Sequence, residues 1–122
     1  MWGWNMLNLV HKKLDVWKLS VEFVEDIYLL TEKFPKTELF GLTNQLRRAS
    51  VSIASNIAEG ASRSSNKERK RFYEISRSSL VEIDTQLEIS KRLGYFDNEI
   101  VEDFSKKVNH IFAMLTNLAQ RT

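Results

Sequence analysis

Hydrophobic residues recur every three or four positions along four segments of this chain, which is the spacing of a buried α-helical face. The pattern is clearest in the second segment, where Leu42, Leu46, Ala49, Ile53 and Ile57 share one helix face. Short connections leave no length for a crossover, and repeats near seven residues favour a left-handed bundle. The sequence therefore predicts an all-α, antiparallel up-down-up-down left-handed four-helix bundle, with helices at about 13–34, 38–60, 66–94 and 97–120.

The predicted ends of these helices depend on residues that start or stop a helix. Thr37 and Asp97 are predicted N-caps, and Ser65 with Glu68 has the spacing of a capping box. Gly60 is expected to end the second helix by taking the left-handed conformation.

The apolar stripes of the first and third helices lead to further predictions about which residues are buried. The stripe on the first helix is widened by Val16, Phe23 and Leu30, which indicates either a broad core face or a contact with another subunit. The third helix is predicted to bury Phe72, Ile75, Ser79, Ile83, Gln86 or Leu87, Ser90 and Leu93.

A polar stripe of Gln, Arg, Ser and Asn runs beside the apolar face of the second helix, where a solvated helix would normally carry Lys and Glu. One interpretation is a partly buried seam that fixes the register of two helices, and the other is a surface facing a ligand or partner. We expect Glu59 and Arg77 to form a buried or interfacial pair. The residues assigned to this seam or interface are Gln45, Ser52, Asn56, Glu59, Arg77 and Glu82.

Composition is that of one helical domain of 122 residues, with 43% hydrophobic residues, one Pro and four Gly. We expect a single bundle domain over 13–122, preceded by an N-terminal arm over 1–12. That arm contains Trp2 and Trp4, and is expected to be either poorly ordered or docked on a neighbour. The absence of Cys excludes disulfides and thiolate metal sites and favours a cytoplasmic location. No apolar run reaches the roughly 20 residues that span a bilayer, so no membrane partner is expected.

Positive charge is concentrated in one segment, although the net charge of the chain is only +2. Residues 62–77 contain six Lys or Arg and two Glu, so this segment carries +4 and the remainder −2. Such a patch holds phosphates through charge, and an exposed Tyr73 would stack on a base. A solvated helix start has the same composition, so both interpretations stand. The candidate nucleic-acid-binding residues are Arg47, Arg48, Arg63, Lys67, Arg69, Lys70 and Arg71.

Motifs for catalysis are missing from the sequence. His11 and His110 have no second His at helical spacing, and there is no glycine-rich phosphate loop. We therefore expect no enzyme, no catalytic residues, no cofactor and no metal site. The opposing hypothesis requires Asn56, Glu59 and Arg77 to converge on an open pocket.

Several segments along residues 14–118 resemble one bacterial family of small four-helix bundles. It is named for proteins encoded in intervening sequences of 23S rRNA genes, and includes the accessory variability determinant of diversity-generating retroelements. Ala54 stands where many members have Pro, and Ser78 where Gly is common, so we expect a less kinked second helix and altered packing near Ser78. The resemblance is carried by Val16-Trp17-Lys18, Phe34-Pro35, Gly41-Leu42-Thr43, Gln45-Leu46-Arg47-Arg48-Ala49, Ser52-Ile53, Ser55-Asn56-Ile57-Ala58-Glu59-Gly60, Arg71-Phe72, Ser79-Leu80-x-Glu82 and Leu93-Gly94-Tyr95.

The resemblance implies a ring-like or funnel-shaped homopentamer. Retroelement members bind nucleic acid through a basic surface and associate with a reverse transcriptase. The expected function is thus a non-enzymatic, oligomeric accessory protein that binds RNA or DNA through its basic residues. The alternative is an oligomeric protein–protein interaction scaffold with no nucleic-acid role. Salt distinguishes the two, because phosphate binding weakens steeply as salt rises and an apolar interface does not.

Overall fold

The computed structural model describes residues 9–122, and no β-strand occurs within them. The predictions for Trp2 and Trp4 lie outside the described residues. Two short 3₁₀ turns precede the first and second helices, at Val10–Lys13 and Lys36–Glu38. The four α-helices are α1 (Asp15–Glu32), α2 (Leu42–Ala61), α3 (Asn66–Arg92) and α4 (Asn98–Gln120).

Each helix packs against its neighbour in chain order, and α1 and α4 also meet, which closes the bundle. At this closing contact Lys107 Nζ lies 2.9 Å from Asp26 Oδ2 and 3.1 Å from Asp103 Oδ2. Beside it the rings of Phe23 and Phe104 pack edge to face, with centroids 5.9 Å apart. The predicted all-α four-helix bundle is confirmed.

The core is built from residues of all four helices, as the apolar pattern predicts. Val16, Phe23 and Leu30, which widen the stripe of α1, are buried in the core of this chain itself. The fully buried large apolar residues are Phe23 and Ile27 of α1, Leu46, Ile53 and Ile57 of α2, Leu80 and Ile83 of α3, and Leu115 of α4.

The predicted inward face of α3 is partly wrong. Ile83 and Ser90 are buried as expected, but Ile75 and Leu93 are 38% and 55% exposed. The reason is that α3 carries two neighbouring stripes of residues, each spaced in alternating steps of three and four positions. The prediction combined members of both stripes. The buried stripe consists of Tyr73, Ser76, Leu80, Ile83, Leu87 and Ser90.

Two of the predicted N-caps are confirmed. The Ser65 hydroxyl accepts a hydrogen bond from the Glu68 N–H (3.1 Å), and the Asp97 carboxylate accepts one from the Ile100 N–H (3.2 Å).

The Thr37 N-cap is wrong, because Thr37 lies in the 3₁₀ turn before α2. Instead Glu38 reaches forward, and its Oε1 accepts the Leu42 N–H at 3.2 Å. Its Oε2 accepts the Tyr95 hydroxyl at 2.7 Å, which raises the pKa of Tyr95. Gly41, a poor helix former, separates the turn from α2, so the helix starts four residues later than predicted.

Gly60 also differs from its prediction. It is buried inside α2 rather than following it, and among residues 9–122 only Gly94 has a positive φ, at 80°. A Cβ at Gly60 would lie 2.7 Å from Tyr73 Cε1 and 3.0 Å from Phe72 Cβ. Gly60 is therefore required because it lets α3 approach closely, and not because it adopts a left-handed backbone conformation.

Gly60→Ala tests this account, because helix propensity and crowding predict opposite changes in the stability of the protein. Helix propensity alone favours Ala over Gly in a helix by about 1 kcal/mol. We expect instead a loss of about 1–3 kcal/mol in the free energy of unfolding, because the new methyl group forces Tyr73 out of place. Chemical denaturation measures the change, with exposed Ser55→Ala as the control. A Gly60→Ala protein more stable than the wild type would contradict the account.

His11 gives the protein an expected pH dependence. The side chain is buried, and its ring packs edge to face on Trp17 with centroids 5.0 Å apart. Burial, followed by the charge of Lys12, lowers the pKa of His11 below 6.5. The unfolded chain therefore takes up this proton first, and the stability contributed by neutral His11 is present above pH 6.5 and lost as pH falls below it.

Unfolding in denaturant at pH 7.5 and pH 5.0 measures this effect. The free energy of unfolding should fall more between these two pH values in the wild type than in His11→Gln. An equal fall in both proteins would show that His11 does not contribute.

Candidate nucleic-acid interface

The turn between α2 and α3 is braced by two of the predicted binding residues. Arg63 lies 2.9 Å from the Glu59 carboxylate, and its guanidinium covers the Phe72 ring at 4.8 Å from the centroid. Arg69 donates a hydrogen bond to the Arg63 carbonyl (2.7 Å) and another to the Asn66 side chain. These contacts tie the turn to the first turn of α3.

Three further cations extend from this turn into solvent. Lys67, Lys70 and Arg71 are exposed, and none of the side-chain hydrogen bonds or ion pairs found in residues 9–122 uses their side chains. Lys67 and Arg71 are one helical turn apart, about 6 Å along the axis. We call the set Arg63, Lys67, Arg69, Lys70 and Arg71 the basic turn.

Arg47 and Arg48 do not belong to the basic turn, since they lie about 20 Å away along α2. Arg47 is half-buried between α1 and α2, where its Nε donates to the Thr31 hydroxyl at 2.9 Å. Its guanidinium also lies over the Tyr28 ring, 4.5 Å from the centroid. Arg48 is exposed on another side of α2.

Tyr73 is not available to stack on a base. Its side chain is 4% exposed and lies against Gly60, and burial raises the pKa of its hydroxyl. Tyr73 is an inward residue of α3, so the prediction of an exposed aromatic beside the basic turn is wrong.

Folding brings further basic residues to the end of the bundle that carries the basic turn, which the sequence of that segment alone did not show. Antiparallel packing brings the start of α1 and the end of α4 to the same end of the bundle, with Lys12, Lys18 and Arg121. The half of the bundle nearest the basic turn consists of residues 9–23, 51–79 and 109–122. It holds ten Lys or Arg and five Asp or Glu. The other half consists of residues 24–50 and 80–108. It holds eight Lys or Arg and eleven Asp or Glu. The bundle is therefore positive at one end and negative at the other.

The polar seam predicted on α2 joins α2 to α3. The hydroxyls of Ser52 and Ser79 are 3.0 Å apart, and Asn56 donates to the Ser52 hydroxyl at 2.9 Å. Further along, the Gln86 amide lies 3.5 Å from the Gln45 side-chain oxygen. These contacts fix the register of the two helices.

The expected Glu59–Arg77 pair is not formed within the chain. Glu59 pairs with Arg63 one turn later on the same chain segment. Arg77 follows buried Ser76 by one residue, so it points to α4 and donates to the Thr116 hydroxyl at 3.3 Å. Sequence spacing alone did not predict the Arg77–Thr116 contact, because the direction of Arg77 depends on which stripe of α3 is buried.

The arrangement required by the enzyme hypothesis is also absent, because Asn56, Glu59 and Arg77 contact three different neighbours. None of them lines the open groove of about 560 Å³ between the start of α1 and the end of α4. Within residues 9–122 no cluster of three His, Asp or Glu could hold a metal ion. No helix in this part of the chain has the length and apolarity to cross a membrane.

These features define a class of protein, a small all-α bundle with a polar seam and a basic turn between its central helices. Residues 12–117 match the family of 23S rRNA-intervening sequence proteins, and the chain belongs to that family. The predicted family is thereby confirmed.

A crystal structure from Bacteroides thetaiotaomicron has the same fold. It is a protein with unknown function from the S23 ribosomal protein family, 24% identical, with a TM-score of 0.79. The alignment covers 86% of this chain and 95% of that one. A comparison with curated proteins found no match.

Ser76→Ala tests how far the α2–α3 contact depends on buried hydrogen bonds. Ser76 is fully buried, and its hydroxyl donates to the Ile53 carbonyl at 2.7 Å. The matched control is Ser78→Ala, which makes the same change at an exposed position of α3. We expect Ser76→Ala to be about 1 kcal/mol less stable than this control in chemical denaturation. Equal stabilities would show that the hydrogen bond contributes nothing.

Proposed function

We propose that this protein is a non-enzymatic, oligomeric accessory protein that binds RNA or DNA through the basic turn. The observation that carries the proposal is the group of solvent-facing cations Lys67, Lys70 and Arg71 on a turn braced by Arg63 and Arg69. Arg47 and Arg48 lie outside this contact surface in the proposal.

The chemistry of the basic turn suits the phosphate backbone rather than the bases. Lysine and arginine side chains attract phosphates and release the counterions bound there, without reading the base sequence. The positive half of the bundle adds to this attraction over a longer range, since charge of one sign steers a charged ligand towards it. We therefore propose binding that depends strongly on salt and weakly on sequence.

Assembly and location complete the proposal. We propose a homo-oligomer, with five copies as the family resemblance implies, in the cytoplasm. A reverse transcriptase is a candidate protein partner on the same ground. The exposed apolar residues Ile89, Leu93 and Phe40 support contacts with protein, and Phe40 is 90% exposed.

An oligomeric scaffold without a nucleic-acid role is the second candidate, and the same exposed apolar residues favour it. In that case the cations of the basic turn provide solubility, and an apolar contact holds the partner. Raising salt would leave such a contact in place.

Fluorescence anisotropy with short single- and double-stranded RNA and DNA tests the proposed function. Replacing Lys67, Lys70 and Arg71 with Gln removes exposed cations without touching the bracing contacts. The affinity should fall, and the slope of log K against log salt should decrease by about one for each phosphate that the variant no longer neutralises.

The matched control replaces Lys33, Lys36 and Lys106, three exposed cations in the negative half of the bundle. This variant should bind nearly as the wild type does. An equal fall in affinity in both variants would exclude the basic turn as the site. No binding by the wild type at low salt would exclude the nucleic-acid function.

A further inference from the structure

The side of α3 that faces α4 carries an aromatic contact near the basic turn. Arg77 points to α4, where its guanidinium lies over the Phe112 ring, 5.6 Å from the centroid. Phe112 is 39% exposed, so part of its ring is open to solvent. The hydrogen bond from Arg77 to the Thr116 hydroxyl, at 3.3 Å, is longer than usual and holds the guanidinium only weakly. Arg77 and Phe112 therefore present a cationic plane and an aromatic ring to the same solvent-facing groove.

Lys70 connects this groove to the basic turn. It is exposed and lies seven residues before Arg77. Seven residues are close to two helical turns, so the two side chains share one side of α3 and lie about 10 Å apart along its axis. Neither takes part in the ion pairs found in residues 9–122. A strand held at the basic turn thus has a continuous path to Phe112.

Carboxylates on the same side of α3 limit how far charge alone attracts a polyanion. Lys70 and Arg77 bring two positive charges to this side, and the exposed Glu74 between them brings one negative charge. Asp84, seven residues beyond Arg77, is also exposed and belongs to the negative half. A polyanion is therefore attracted as far as Arg77 and repelled beyond it. Near Phe112 a contact other than charge is needed to hold the strand.

We propose that Arg77 and Phe112 form a subsite for one unpaired base of a single-stranded RNA or DNA whose phosphates lie on the basic turn. Unpaired bases stack on aromatic rings and on the guanidinium plane of arginine. Because every base has such a face, this contact tolerates any sequence. The subsite offers both groups, and Lys70 is placed to hold a phosphate of the same strand. Phe112 supplies the exposed aromatic ring that the buried Tyr73 does not.

The inference rests on the proposed nucleic-acid binding and adds a contact that only unpaired bases make. In a duplex the faces of each base are covered by its neighbours, so the phosphates and groove edges are what the protein meets. Loss of the ring should therefore affect single strands and leave duplexes alone.

Fluorescence anisotropy with a single strand and a duplex of equal length tests the subsite. Phe112→Leu removes the ring and keeps an apolar side chain of similar size against α3. We expect its affinity for the single strand to fall about tenfold, because stacking on one aromatic side chain contributes this much binding. Its affinity for the duplex should be nearly that of the wild type.

Salt dependence separates stacking from charge in the same experiment. Phe112→Leu removes no cation, so its slope of log K against log salt should equal that of the wild type. Arg77→Lys keeps the charge and loses the plane, and should weaken single-strand binding in the same way. A fluorescent base analogue whose emission falls on stacking gives a direct reading, and that fall should be lost in Phe112→Leu.

Two control variants keep the test specific to this ring. Phe40→Leu makes the same change at a ring that is 90% exposed in the negative half of the bundle. Phe112→Tyr keeps an aromatic ring at the subsite. Both should bind the single strand as the wild type does, and circular dichroism establishes that every variant is folded.

The possible results distinguish the subsite from the proposed function. Unchanged single-strand binding by Phe112→Leu would overturn the subsite and leave binding at the basic turn standing. An equal loss for single strand and duplex would also overturn it, because the ring would then act through the structure of the protein. A wild type that binds neither at low salt would remove the subsite together with the proposed function.

Discussion

The close approach of α2 and α3 is the constraint on which the rest of the structure depends. Gly60 leaves the space that Tyr73 fills, and Ser76 donates a hydrogen bond to the backbone of α2 from a fully buried position. Ser52 and Ser79 extend the contact towards the other end. Small side chains at these positions let the two helices pack closely, and buried hydroxyls are stable only when they are hydrogen-bonded. The register set by this contact determines which residues of α3 reach solvent.

The same contact determines which charged and apolar residues α3 presents to solvent. Because α3 turns Tyr73 inward, it presents Lys67, Lys70 and Arg71 outward at its start and Ile89 and Leu93 at its end. Charge and apolar surface are thus separated along one helix. Charge concentrated at one end of the bundle gives that end a positive potential, although the net charge of the chain is only +2.

The sequence was sufficient to predict the number of helices, the apolar face of α2 and two N-caps, because periodicity and capping are local properties. It was insufficient for α3, where two stripes compete and only packing decides between them. That ambiguity explains the errors at Ile75, Tyr73 and Arg77. Gly60 shows a similar limit, since a glycine near a helix end fits both a left-handed turn and a close contact. The bases Lys12 and Arg121 were missed because they join the positive end only after folding.

We propose that the α2–α3 contact holds a basic turn which receives the phosphate backbone. Amide chemical shifts in a titration with a short duplex RNA or DNA at low salt test it most directly, because they report each residue separately. We predict changes concentrated in residues 62–73, with little change in residues 33–44 at the negative end. Changes centred on Ile75, Ile89 and Leu93 or on the negative end, or no changes at all, would contradict this proposal.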